Sequence, residues 1–139
     1  MKQQTFFKEI LTIPKLARLL EEDLPKNWRH IFTLVNEFFW NPGKRKDILA
    51  EPQTKNLTIR AICASLAEWL AYKAGIKPPK WAEETPPAER PVFFAPPSAK
   101  ATRIRAIFFS PASFKKRYIY LASICDYDPS KTVKRLKDL

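Results

Sequence analysis

The stretch from Asn56 to Trp81, NLTIRAICASLAEWLAYKAGIKPPKW, carries signals for both ends of one long helix. Its large apolar residues recur at intervals of three and four, the spacing of one helix face; they are Ile59, Ile62, Leu66 and Leu70. Asn56 or Thr58 can accept the hydrogen bonds that begin such a helix, and Gly75 suits the left-handed residue that follows its last turn. The sequence therefore predicts a central helix that supplies the core.

Proline is abundant and glycine is scarce, with 13 prolines against 2 glycines in 139 residues. This ratio predicts stiff connections and sharply ended helices rather than flexible linkers. We expect a proline-rich irregular strap at residues 78–100, tied down by Trp81 and by the apolar run Val92-Phe93-Phe94, and a basic C-terminal region at residues 101–139. The predicted fold is all-α, a single compact domain over residues 1–139 with five to seven helices.

Further helices are predicted on both sides of the central one. Thr12 can cap a helix that has Pro14 in its first turn, and another helix is expected from Pro25 or Lys26 to Trp40. Shorter helices are expected at residues 4–11, 47–50, 101–109 and 128–139. The apolar stripe of 101–109 is Ile104, Ile107 and Phe108, although a strand is also compatible with part of 101–121. Ser110 is expected to cap a turn that begins at Pro111.

The residue types that common catalytic and cofactor sites require are sparse. Two glycines cannot form a GxGxxG turn or a Walker loop, and one histidine with two distant cysteines cannot form a closed zinc site. Cys63 and Cys125 are predicted to be buried free thiols. His30, on the polar side of its helix, is expected to be a surface residue. We therefore predict no catalytic residue, no metal site and no cofactor.

The chain also lacks the patterns of membrane insertion and export. No apolar run approaches the roughly 20 residues that a helix needs to cross a bilayer. The N-terminal sequence MKQQTFFKEIL has neither the apolar core nor the cleavage site of a signal peptide. These features predict a cytoplasmic protein without a membrane partner.

Positive charge is the main functional signal. Lysine and arginine number 25 against 14 aspartates and glutamates, a formal net charge of +11 that favours polyanionic partners. Much of this excess lies in residues 100–139, where cations stand beside tyrosines that can stack on bases. The candidate nucleic-acid-binding or anion-binding residues are Arg103, Arg105, Lys115, Lys116, Arg117 and Tyr118, together with Lys44, Arg45 and Lys46.

Three segments occur in an order that resembles a group of small, largely uncharacterised bacterial helical proteins. They are GIKPPKW at 75–81, PVFF at 91–94 and FFSPASFKKRYIYL at 108–121. In that group a helix ending in glycine leads to a proline and a tryptophan, then to a Pro-aromatic pair, then to a Ser-Pro-x-x-Phe segment followed by basic residues. The resemblance covers roughly residues 57–121. Such proteins can lie beside toxin–antitoxin or DNA-binding genes, so the resemblance implies an antitoxin-like or regulatory accessory role.

We therefore predict a non-enzymatic binding protein that engages nucleic acid or an acidic partner protein through its basic C-terminal third. Neutralising Lys115, Lys116 and Arg117 is expected to weaken binding and to leave stability nearly unchanged. One alternative is a self-associating or protein-binding scaffold, in which Glu21 to Asp23 of one copy meet basic residues of another. A second alternative is an enzyme that acts on an anionic substrate and uses His30 as its acid–base group.

Overall fold

The computed structural model describes residues 9–126, which form a largely helical domain around one long helix. The elements are α1 (Ile13–Glu22), α2 (Leu24–Asn27), α3 (His30–Trp40), α4 (Arg45–Ile48), α5 (Leu57–Ala74), α6 (Lys80–Glu83), β1 (Val92–Phe93), α7 (Lys100–Phe109), α8 (Ala112–Lys115) and β2 (Ile119–Tyr120), with 3₁₀ turns at Pro42–Lys44 and Ala122–Asp126. The predicted all-α class is confirmed. The described residues hold eight α-helices rather than five to seven, because four of them are single turns.

Two of the predicted helices lie wholly or mostly outside residues 9–126. The helix expected at 128–139 lies outside the described residues, as does most of the one expected at 4–11. The described end of the latter segment, Glu9 to Leu11, is not helical. Leu11 is nevertheless buried in the core immediately before α1. The non-helical residue Leu11 therefore belongs to the core, two residues before α1 begins.

The predicted ends of α5 are confirmed. The Asn56 side chain, rather than that of Thr58, accepts the hydrogen bond of the Ile59 amide at 3.1 Å and caps the helix. At the other end Gly75 has a φ of 69°, the left-handed conformation that glycine adopts without steric cost. The amide of Ile76 then donates back to the carbonyl of Ala71 at 3.0 Å. Local capping chemistry thus fixes both boundaries.

Helix α5 is buried on most of its circumference. Ile62, Leu66 and Leu70 form the predicted core face and are fully buried. The small residues on the remaining sides are buried as well; they are Ala61, Ala64, Ser65, Ala67 and Ala71. Because these side chains are short, α1, α6 and α8 can all pack closely against α5. This arrangement makes α5 the scaffold on which the other elements are placed.

The helix predicted from Pro25 or Lys26 to Trp40 is wrong in its continuity, because the chain divides it into α2 and α3. At the junction, the amides of Ile31 and Phe32 bond to carbonyls only three residues back, at 3.0 and 3.1 Å, which winds the backbone more tightly than an α-helix. The carboxylate of Asp23 accepts from the Lys26 amide at 3.1 Å and caps α2. A negative charge is unfavourable at the C-terminal end of α1. Asp23 is nevertheless stabilised there because its carboxylate caps α2.

The strap predicted at 78–100 is only partly irregular, since it contains α6 and β1. Its predicted anchor is confirmed, because the indole nitrogen of Trp81 donates to the carbonyl of Leu49 at 2.9 Å. Val92 and Phe94 of the other predicted anchor pack against the core. The backbone pairing at this point was not predicted: β1 pairs in parallel with β2, so that Val92 lies opposite Ile119. Backbone pairing as well as aromatic anchors therefore fixes the strap to the C-terminal region.

The segment left open between helix and strand, 101–121, contains both. The expected role of Ser110 as the cap of the following turn is wrong, because the N-cap of α8 is Pro111 and makes no side-chain bond. The Ser110 hydroxyl instead donates to the carbonyl of Ala106 at 2.6 Å and accepts from the amide of Leu121 at 2.7 Å. This buried hydroxyl connects the end of α7 with the residue after β2.

Candidate interaction surface

Arg117, one of the candidate anion-binding residues, is a core residue with 1% of its surface exposed. Its guanidinium donates to the carbonyls of Ala82 at 2.6 Å, Ser113 at 3.0 Å and Thr85 at 3.2 Å, and it forms an ion pair with Glu68. A side chain with these partners and this burial is not presented to an anion in solution. The surface position expected for Arg117 is therefore wrong, and its contacts join the strap to α5 and α8.

The two lysines that precede Arg117 are exposed, but they point to different parts of the molecule. The ammonium of Lys115 donates to the carbonyl of Phe108 at 2.8 Å, at the end of α7. The ammonium of Lys116 lies 2.9 Å from the carboxylate of Glu68 on α5. Tyr118, also exposed, has a positive φ of 64°, and its carbonyl accepts from the amide of Val92 at 2.8 Å. The run is therefore not one continuous basic patch.

The two candidate arginines of α7 differ in their availability. Arg103 is half-buried, because its Nε donates to the carbonyl of Ala95 at 2.9 Å and its guanidinium lies 4.5 Å from the ring centre of Phe93. Arg105 is exposed and forms an ion pair with the equally exposed Asp126 at 3.2 Å. Arg103 therefore holds the strap in place, whereas Arg105 can meet a partner.

The third group of candidates, Lys44 to Lys46, packs on α3 rather than with the C-terminal candidates. Arg45 donates to the carbonyl of Phe38 at 3.1 Å and covers the ring of the same residue at 4.7 Å. Lys44 and Lys46 are exposed on this turn. The predicted basic residues thus occupy at least two separate locations on the surface.

The most unusual surface feature is the outward face of α7, whose apolar stripe the sequence predicted without a direction. Its large apolar side chains are 42–67% exposed; they are Ile104, Ile107, Phe108 and Phe109. Ala106 is the one buried residue of the helix, and it marks the side that packs on the domain. The periodicity of three and four correctly predicts a stripe, but the stripe faces solvent. We call these four residues, with Arg105 and Lys115 beside them, the α7 surface.

Cations surround the C-terminal end of this surface. The thiol of Cys125 donates to the carbonyl of Phe109 at 3.3 Å. Partial burial and the nearby Asp126 raise the pKa of Cys125, while Lys73, Lys115 and Arg105 act to lower it. Three positive side chains from α5, α7 and α8 are thus close enough to Cys125 to act on its thiol. Positive charge there also complements the negative end of the α7 dipole.

No group of three or more His, Cys, Asp or Glu side chains within residues 9–126 could hold a metal ion. His30 is half-buried at the first position of α3 rather than fully on the surface. Glu37, which sequence reasoning placed near it on the polar side, is buried, and this burial raises its pKa. Over the same span, no helix has the length and apolarity that crossing a membrane requires.

The two cysteines differ in accessibility, which gives a direct test of the fold. Cys63 is fully buried as predicted, and burial raises its pKa to about 12, whereas Cys125 is exposed, contrary to prediction. Because the reagent must reach the thiol and Cys125 is the exposed one, we expect Ellman's reagent at pH 8 to titrate one thiol in the native protein and two in denaturant. A Cys125→Ser variant should remove the native reaction. Equal native reactivity of both thiols would contradict the burial of Cys63.

Comparisons with protein-family models, curated protein sequences and solved structures gave no match to this chain. The resemblance of residues 57–121 to small bacterial helical proteins therefore stays a prediction. The antitoxin-like or regulatory role that it implies also stays a prediction.

Proposed function

We propose that this protein is a non-enzymatic binding protein that engages an acidic partner protein through the α7 surface. The observation that carries the proposal is the outward exposure of Ile104, Ile107, Phe108 and Phe109 on one helix. Single exposed apolar residues are normal on soluble proteins, but a contiguous apolar face is typical of an interaction site. A regulatory role, such as that of an antitoxin-like accessory, is compatible with binding of this kind.

The apolar part of the surface would supply most of the binding energy. Large side chains at the centre of an interface account for most of the affinity, and aromatic residues are enriched among them. Ile104 and Phe108 are four residues apart, so they project from the same side of α7. Such a stripe fits an amphipathic helix of the partner, which would bury its own apolar residues against it.

The charges beside the surface favour an acidic partner. Arg105 and Lys115 flank the apolar residues, and the chain as a whole carries +11. The ion pair of Arg105 with Asp126 is solvent-exposed on both sides, so it is weak and a carboxylate of the partner can replace it at little cost. Opposite charge would also accelerate association.

A partner protein is favoured over nucleic acid because fewer cations are free to bind phosphate than the sequence suggests. Arg117 is buried, while Arg103 and Arg45 are half-buried with donors directed at backbone carbonyls. Phosphate binding depends on the number of free cations, whereas protein binding can use the apolar face directly. Nucleic acid is therefore the alternative that the experiment must separate.

Site-specific photocrosslinking in the native cell tests this proposal. A benzophenone amino acid placed at Phe108 should crosslink one acidic protein, and the same group at Leu57, an exposed apolar residue on α5, should not. With the partner purified, Ile104→Ser should weaken binding by about 30-fold, the effect of about 2 kcal/mol at an interface centre. Leu57→Ser should leave the affinity unchanged.

Three outcomes would contradict the proposal. Equal crosslinking from both positions would indicate non-specific contact. Crosslinks to a second copy of the chain would favour the scaffold alternative. Binding of duplex DNA or RNA at low salt that weakens steeply with added salt, together with crosslinks to nucleic acid, would favour nucleic-acid recognition.

A further inference from the structure

A second feature, separate from the α7 surface, is a groove of about 680 Å³ between the end of α5 and the start of α8. This volume is in the range of small-molecule sites. Trp69, Tyr72, Ile76 and Pro78 form one wall, and Pro111 with Ala112 forms the other. We call it the α5–α8 groove.

The capping chemistry of α5 creates this groove. The left-handed turn at Gly75 ends the helix and turns the chain so that Ile76 and Pro78 extend the wall begun by Trp69 and Tyr72. Tyr72 is 81% exposed, although it lies on the helix that supplies most of the core. The groove is therefore an apolar surface beside the most buried helix of the domain.

The charges in the groove are unbalanced. Glu68 is the one carboxylate among the described residues that line it, and this carboxylate already pairs with buried Arg117 and with Lys116 at 2.9 Å. Lys73 adds another positive charge at the rim, where its ammonium lies 5.8 Å from the ring centre of Trp69. The hydroxyl of Ser113 is directed away, to the carbonyl of Ser65 at 3.0 Å. The groove thus combines apolar walls with two lysines and a carboxylate that is already paired.

We propose that the α5–α8 groove binds a small amphipathic carboxylate, a molecule with one anionic group and an apolar body. Lys73 and Lys116 receive the carboxylate, and the side chains of Tyr72, Ile76 and Pro111 cover the apolar body. An uncharged molecule of the same shape lacks the interaction with the lysines. A purely ionic molecule such as acetate lacks the apolar contact.

Nuclear magnetic resonance titration with decanoate, decan-1-ol and acetate tests this assignment. Decanoate should give saturable amide shifts centred on Tyr72, Lys73 and Ile76, and decan-1-ol should bind about fivefold more weakly, the upper end of the effect of one exposed ion pair. Acetate should give no saturable shifts. A Lys73→Gln/Lys116→Gln variant should weaken decanoate binding by at least the same factor, because Glu68 keeps Arg117 as a partner.

The matched control removes two charges elsewhere. Lys44→Gln/Lys46→Gln should leave the dissociation constant of decanoate within about twofold, since neither lysine lines the groove. Lys44 ends the 3₁₀ turn after α3, and Lys46 lies in α4. The proposal is overturned if decanoate shifts do not saturate, if decan-1-ol binds equally well, or if the shifts centre on Ile104 and Phe108. It is also overturned if both double variants weaken binding equally.

Discussion

Replacing Arg117 with methionine is expected to lower the free energy of unfolding by about 3–5 kcal/mol, the usual cost of removing one member of a buried ion pair. The variant leaves the partly buried carboxylate of Glu68 with only the exposed Lys116 as a partner. It also removes the donors to the carbonyls of Ala82, Thr85 and Ser113. Because domains of this size are stable by only about 5–15 kcal/mol, urea denaturation should show a large decrease in midpoint.

Two companion variants make this result specific. Lys116→Met removes an exposed partner of the same carboxylate and should cost less than about 1 kcal/mol. Glu68→Leu combined with Arg117→Met removes both buried charges and should recover part of the loss, since the uncompensated carboxylate disappears. If Arg117→Met and Lys116→Met had equally small effects, the central position assigned to Arg117 would be wrong. The sequence-based expectation that all three basic residues could be neutralised without loss of stability is thus revised for Arg117.

The parts of the fold that local chemistry determines could be predicted from the sequence. The cap at Asn56 and the stop at Gly75 are short-range signals, so the limits of α5 follow from residues within one turn of each end. The same is true of α1, where Thr12 accepts from the Lys15 amide and Pro14 lies in the first turn. Such hydrogen bonds depend on side-chain type and spacing, which the sequence gives directly.

The position of Arg117 could not be predicted, because three adjacent cations look alike in a sequence. They separate in the fold because α8 is a single turn and Tyr118 then adopts a left-handed conformation. The partners that distinguish Arg117 lie on the strap, and the bonds to Ala82 and Thr85 span 35 and 32 residues. No local pattern records contacts over that separation.

The direction of the α7 stripe could not be predicted for a related reason. Spacing of three and four shows that Ile104, Ile107 and Phe108 share a face, but not whether that face meets the core. Here Ala106 packs on the domain, and the large apolar residues of the stripe remain outside. The pairing of β1 with β2 was also beyond reach, since each strand has two residues and the pair joins Val92 to Ile119. The limits of α5 could therefore be predicted from the sequence, whereas the exposure of the α7 surface could be seen only in the structure.

Replacing Leu66 with alanine is expected to lower the free energy of unfolding by about 2–5 kcal/mol, through lost burial and the cavity that remains. Leu66 is fully buried at the middle of α5, and α1, α6 and α8 all pack on that helix. Because α5 is closely packed on most sides, the neighbouring side chains can fill the cavity only in part. The expected loss of stability is therefore in the upper half of this range.

Leu57→Ala is the matched control, since it makes the same chemical change at the first residue of the same helix, where the side chain is 52% exposed. Its cost should stay below about 1 kcal/mol, because little apolar surface returns to water and alanine favours the helix. Urea denaturation of both variants gives the comparison, with the slope of the transition confirming that the unfolded states are alike. Similar losses from the two changes would mean that α5 does not supply the centre of the core. A large loss confined to Leu66→Ala would instead support α5 as the element on which the α7 surface and the α5–α8 groove are built.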